Sequence, residues 1–112
     1  MATPRMRRIN EVLREVIGAA IAELSDPRIG FVTVTSVETS PDLRAAKVYV
    51  SVLGSDAERE ATLEGLRSSH GVLQSKIAAE TRMKRTPTLS FRYDETVEQG
   101  MRISKLLDES DD

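Results

Sequence analysis

Arg82, Lys84 and Arg85 crowd into four consecutive positions, and over residues 76 to 92 Lys76 and Arg92 join them against Glu80 alone. Arg5, Arg7 and Arg8 make a second cluster, with no acid before Glu11. Fixed cations at this density can hold the phosphate oxygens of an anionic backbone; the plainer alternative is that Arg82, Lys84 and Arg85 complement a helix C-terminus while solvated and Arg5, Arg7 and Arg8 form a soluble arm. The formal charge of −2 conceals both clusters, because from Asp94 onward Asp94, Glu95, Glu98, Asp108, Glu109, Asp111 and Asp112 face only Arg102 and Lys105. Binding depends on where the positive charges lie rather than on their sum.

Other chemistries have little to work with. The chain contains no cysteine and a single histidine, His70. That excludes disulfides and thiolate metal sites and leaves no visible nucleophile–base pair. No catalytic residue, metal or cofactor is expected. The acidic group Glu58, Glu60 and Glu64 shares its helix with Arg59 and Arg67, so solvation and weak ion pairs are expected of it. No apolar run approaches the roughly 20 residues that span a bilayer, and MATPRMRRI lacks the apolar middle of a signal peptide. A cytoplasmic protein without membrane attachment is expected.

The elements that must carry these cations are legible from periodicity. Ile9, Val12, Leu13, Val16, Ile17, Ala20, Ile21 and Leu24 recur at helical steps, predicting a helix from about Arg5 to Leu24 that Ser25-Asp26-Pro27 stops. FVTVTSVE at 31–38 reads as a strand. AAKVYVSVL at 45–53 reads as another, with Ala46, Val48, Val50 and Val52 on its covered face. The Thr39-Ser40-Pro41-Asp42 link between them favours antiparallel pairing. Ser55-Asp56-Ala57-Glu58 is a capping-box pattern that opens a helix through Leu63 and Leu66. Past Gly71 the helical pattern resumes at Val72, Leu73, Ile77 and Met83, which predicts a kink at Ser69, His70 and Gly71. Thr88 to Tyr93 alternates as a third strand, and 95–107 reads as a short helix or packed extension. These elements make an α+β sandwich, a three-stranded sheet with three helices on one face. One domain is expected over residues 1–108, with an acidic polar tail at 109–112. Its core should pack Val48 and its partners against Leu13, Val16, Ile17, Leu66 and Ile77.

Several short motifs occur in sequence order: Asp26-Pro27-Arg28-Ile29-Gly30, Ser40-Pro41-Asp42-Leu43, Ala46-Lys47-Val48-Tyr49-Val50, Pro87-Thr88-Leu89-Ser90-Phe91 and Glu98-Gln99-Gly100-Met101-Arg102-Ile103. Together with the order α-β-β-α-kink-α-β, they resemble the ribosome-binding factor A family of bacterial small-subunit assembly factors. That family's fold is similar to a KH domain of type II. In a KH domain a Gly-x-x-Gly loop clamps single-stranded nucleic acid, whereas this family carries an Ala-x-Gly kink. Here Ser69 stands in the alanine's place and is small enough for the kink to survive.

The resemblance implies a non-catalytic factor that binds the immature small ribosomal subunit and its ribosomal RNA, assisting late maturation and rRNA processing. Phosphate contacts would come from Arg5, Arg7, Arg8, Lys76, Arg82, Lys84 and Arg85, and Ser69, His70 and Gly71 would set the angle between helices. Ribosomal proteins and an assembly GTPase are further partners it suggests for a monomeric protein. The alternative is a protein-interaction domain without direct RNA contact, using the wetter sheet face or the apolar end from Met101 to Leu107.

Overall fold

In the computed structural model, residues 3–96 are described. The rest of the element expected over 95–107, and the tail at 109–112, lie outside them. Helix α1 spans Pro4–Ala22. Thr3 starts it, its hydroxyl accepting the Met6 N–H at 3.1 Å, and Pro4 occupies a first-turn position where no amide donor is needed. The helix ends two residues short of Leu24, ahead of the Asp-Pro stop.

The Asp26–Gly30 turn that follows is built by side chains. The Asp26 carboxylate accepts the Arg28 N–H at 2.9 Å and the Arg28 guanidinium at 2.6 Å. The guanidinium first and the amide second hold the Asp26 pKa down to about 2. Buried Thr62 closes the turn against the next helix layer, accepting the Gly30 N–H at 3.2 Å and donating to the Arg28 carbonyl at 3.3 Å. Gly65 makes this possible, since a Cβ there would lie 2.8 Å from Ile29 Cγ1.

Strands β1 (Val32–Thr39) and β2 (Ala45–Val52) pair antiparallel, as the short link predicts, and β3 (Thr88–Tyr93) runs parallel to β2. The sheet order is β1-β2-β3. Between Val34 and Ser36 the register slips by one residue at Thr35. A slip of one exchanges the faces, so Val32 and Val34 point inward before the bulge, and Val37 and Thr39 after it. The Thr35 hydroxyl reaches the Tyr49 carbonyl at 3.2 Å and the Asp94 carboxylate at 2.6 Å, which ties the bulge to the end of β3.

After β2, α2 (Asp56–Ser68) begins with the expected capping box between Ser55 and Glu58. Helix α3 (His70–Thr81) follows after one non-helical residue, Ser69. The break therefore falls at the first of the three kink residues, and His70 and Gly71 open α3. Gly71 does not need a glycine's conformational freedom: its φ is ordinary, and a Cβ there would meet nothing within 4 Å.

All three helices lie on one face of the sheet. Leu13 and Ile17 of α1, Leu66 of α2 and Leu73 and Ile77 of α3 close over Val48 and Val50 with no exposed surface. Each such side chain contributes about 1.5–3 kcal/mol by leaving water. Val16, expected in this core, sits at its margin and packs only partly against it. Phe91 is buried, and Tyr93 packs at the edge under the Arg59 guanidinium, 4.9 Å from the ring centre.

Candidate nucleic-acid interface

Helices α1 and α3 pack side by side and run in opposite senses. The start of α1 therefore lies beside the end of α3. Arg8, Ile9, Val12 and Leu13 from α1 and Thr81 and Met83 from α3 and its exit line one groove of about 190 Å³. Two clusters separated by more than 70 positions in sequence are thereby brought to one end of the molecule. Arg5 lies one turn before Arg8 on the same side of α1, Arg7 is a quarter turn away, and Arg82, Lys84 and Arg85 flank Met83.

Three local features hold this end in place. The Asn10 side-chain carbonyl accepts both the Thr39 N–H at 3.1 Å and the Thr39 hydroxyl at 2.7 Å, which fixes the first half of α1 against the end of β1. Arg82 terminates α3 in the left-handed conformation, φ 53°, a geometry that glycine adopts far more cheaply. The Gln74 amide donates to the carbonyls of Thr86 and Pro87, stapling the loop that bears Lys84 and Arg85 back onto α3.

The electrostatics divide the expected contact residues. Arg5, Arg7, Arg8, Arg82, Lys84 and Arg85 are exposed and, among the described residues, form no ion pair. Lys76 differs. Its ammonium lies 2.6 Å from the Glu23 carboxylate at the far end of α1, and that hydrogen bond holds the Glu23 pKa below its ordinary value. Lys76 is thus used within the fold to join α3 to α1.

The kink is at the opposite end of α3, about 18 Å along its axis from Arg82. It borders another opening, a cleft of about 800 Å³ along the outer edge of β3. Tyr49, Arg67, His70, Ser90 and Arg92 are among its lining residues. The kink and the basic groove are therefore separate features. Arg67, expected to be a solvated partner of the glutamates on α2, instead donates to the Phe91 carbonyl at 3.3 Å. Glu64 turns to Arg28 at 3.7 Å, and Arg59 pairs with Asp56 at 2.9 Å. The sequence signal for this second cleft was Arg92 on the alternating outward face of β3, which periodicity marks only as exposed. The Tyr49 hydroxyl donates to Glu38 at 3.3 Å, and its ring is half-buried.

The fold is that of a KH-like α+β domain. Comparison with known proteins gives the particular family. The family model for ribosome-binding factor A matches residues 5–107. The chain is 45% identical over 108 residues to ribosome-binding factor A of Halothermothrix orenii, covering 96% of this chain and 88% of that protein. The protein belongs to the ribosome-binding factor A family. In three dimensions it is similar to the crystal structure of ribosome-binding factor A from Thermus thermophilus, with TM-score 0.73, 28% identity, and coverage of 79% of this chain and 93% of that one. It is also similar to Thermus thermophilus coordinates fitted into a cryo-EM map of a 30S complex with that factor, with TM-score 0.66, 29% identity and coverage of 77% and 91%.

Proposed function

We propose that the protein is a ribosome assembly factor that docks on the immature small subunit by gripping ribosomal RNA phosphates at the α1–α3 end, and so assists late maturation and rRNA processing. One observation carries this reading: the exposed cations of two distant clusters, none of them in an ion pair among the described residues, come to one end of the α1–α3 pair, where Arg8 and the Met83 that Arg82 and Lys84 flank in the chain line one groove. Cations that serve the fold find carboxylates, as Lys76 and Arg28 do; cations held for a ligand do not need them. A homology model of the Thermus thermophilus relative has been fitted into the cryo-EM map of a 30S complex with that factor, which supports the same partner here. The protein acts by binding rather than turnover. Ribosomal proteins and an assembly GTPase belong to the same proposal as neighbours on the particle, and a cytoplasmic monomer is its natural form. Among the described residues no helix is long and apolar enough to cross a membrane.

Gradient co-sedimentation with small subunits at graded salt tests this. Retention should fall as salt rises, with a logarithmic slope of roughly 0.7 to 0.9 per phosphate contacted. Retention indifferent to salt would reject phosphate gripping and favour apolar protein contacts, for which Phe31 and Leu53, 82% and 75% exposed, are the most exposed large apolar side chains among the described residues.

A further inference from the structure

The groove between the two basic clusters is apolar where a phosphate-binding surface has no need to be. Val12 is 44% exposed there, and Ile9, Leu13 and Met83 extend the same lining. A duplex contacted through its backbone would leave this surface uncovered, because a base-paired helix keeps its bases stacked inside. An unstacked nucleotide would cover it, laying one base against Val12 and the polarisable Met83 thioether while its two flanking phosphates meet cations on either side. The spatial order matches that ligand: Arg8 of α1 lines an apolar groove of about 190 Å³, and Met83, which lines it from the other side, stands between Arg82 and Lys84 in the chain. We infer that this groove takes a single splayed base of single-stranded RNA, so that the protein docks where ribosomal RNA is unpaired. Arg8 in the lining, and the cations on either side of Met83 in the chain, favour a nucleotide over an apolar protein side chain, which would leave them unanswered.

The inference rests on the phosphate-binding reading, and the two can fail separately. The probe is a short single-stranded oligoribonucleotide bound to the full chain, compared with its duplex and with strands that carry a base-free ribose at each position in turn. Removing the seated base should weaken binding about tenfold and leave the salt slope unchanged. The duplex should bind more weakly than the single strand at equal salt. Val12→Ser should cost a similar factor and abolish the sensitivity to base removal. Val12 is half exposed, so this variant should melt as the parent does. Base-free strands that all bind as tightly as the parent, with the salt slope intact, would overturn the base site and leave the phosphate contacts standing. Absence of oligoribonucleotide binding even at low salt would overturn both.

Discussion

The seam between α1 and α3 ends in two different ways. At one end Arg8 and the Arg82–Arg85 loop stand without carboxylates around an apolar groove. Further along the seam, Glu15, Glu23 and Glu80 rim a second groove of about 400 Å³ with Val16, Ala19, Ala20 and Ala79 among its lining, and Lys76 is spent on Glu23. The same pair of helices thus presents a basic pole and an acidic one. Cations counted along a sequence are not equally available. Those near a neighbouring helix's acids are consumed in packing, and those at the free end remain for a ligand. On the phosphate-binding proposal, the first pole would attract an RNA phosphate and the second would repel it, orienting the domain on its target as well as holding it.

The strongest way to break this contrast is to reverse its basic pole. The triple variant Arg8→Glu, Arg82→Glu, Arg85→Glu should lower affinity for small subunits by about a hundredfold or more and reduce the salt slope, measured by co-sedimentation. Arg82→Gly should separate folding from binding: the left-handed position suits glycine, so stability to urea should rise by about 1 kcal/mol, while RNA affinity drops about fivefold. Gly71→Ala tests the other end of α3. With ordinary φ and open space for a Cβ, it should stabilise by up to about 1 kcal/mol and leave RNA affinity within threefold. Acid probes the turn before β1, at the other end of α1 from the basic groove. The Asp26 pKa is about 2, against 3.8 for a free side chain. Its contribution is complete above the free value and is lost as pH falls through 3.8 towards 2. The urea midpoint should fall over that window, and Asp26→Asn should flatten the fall. The smallest effect belongs to Lys76→Gln, which should leave RNA affinity unchanged. A tenfold loss there would erase the distinction between the two poles.

The elements themselves were largely readable in one dimension. Apolar spacing located α1, the capping box located the start of α2, and alternation located β2 and β3, because each depends on residues within a turn or a pleat of one another. The Thr35 bulge is visible only as a break in the alternation of VTVTSV, and its meaning depends on Asp94, which lies 59 residues away. The glycines divide along the same line. Gly71 attracts attention as a helix breaker, yet the chain breaks at Ser69, and the glycine whose missing side chain matters for packing is Gly65, because Ile29 arrives there from another loop.

The sequence by itself determined the absence of thiols, the order of elements and the family, since these follow from residue types and short-range spacing. Only the tertiary structure decided which cations lie together. The antiparallel packing of α1 on α3 brought residues 5–8 and 82–85 to one end, placed Glu23 beside Lys76, and set the kink some 18 Å away. Electrostatic partnership is a matter of a few ångströms in space, and no spacing along the chain encodes it.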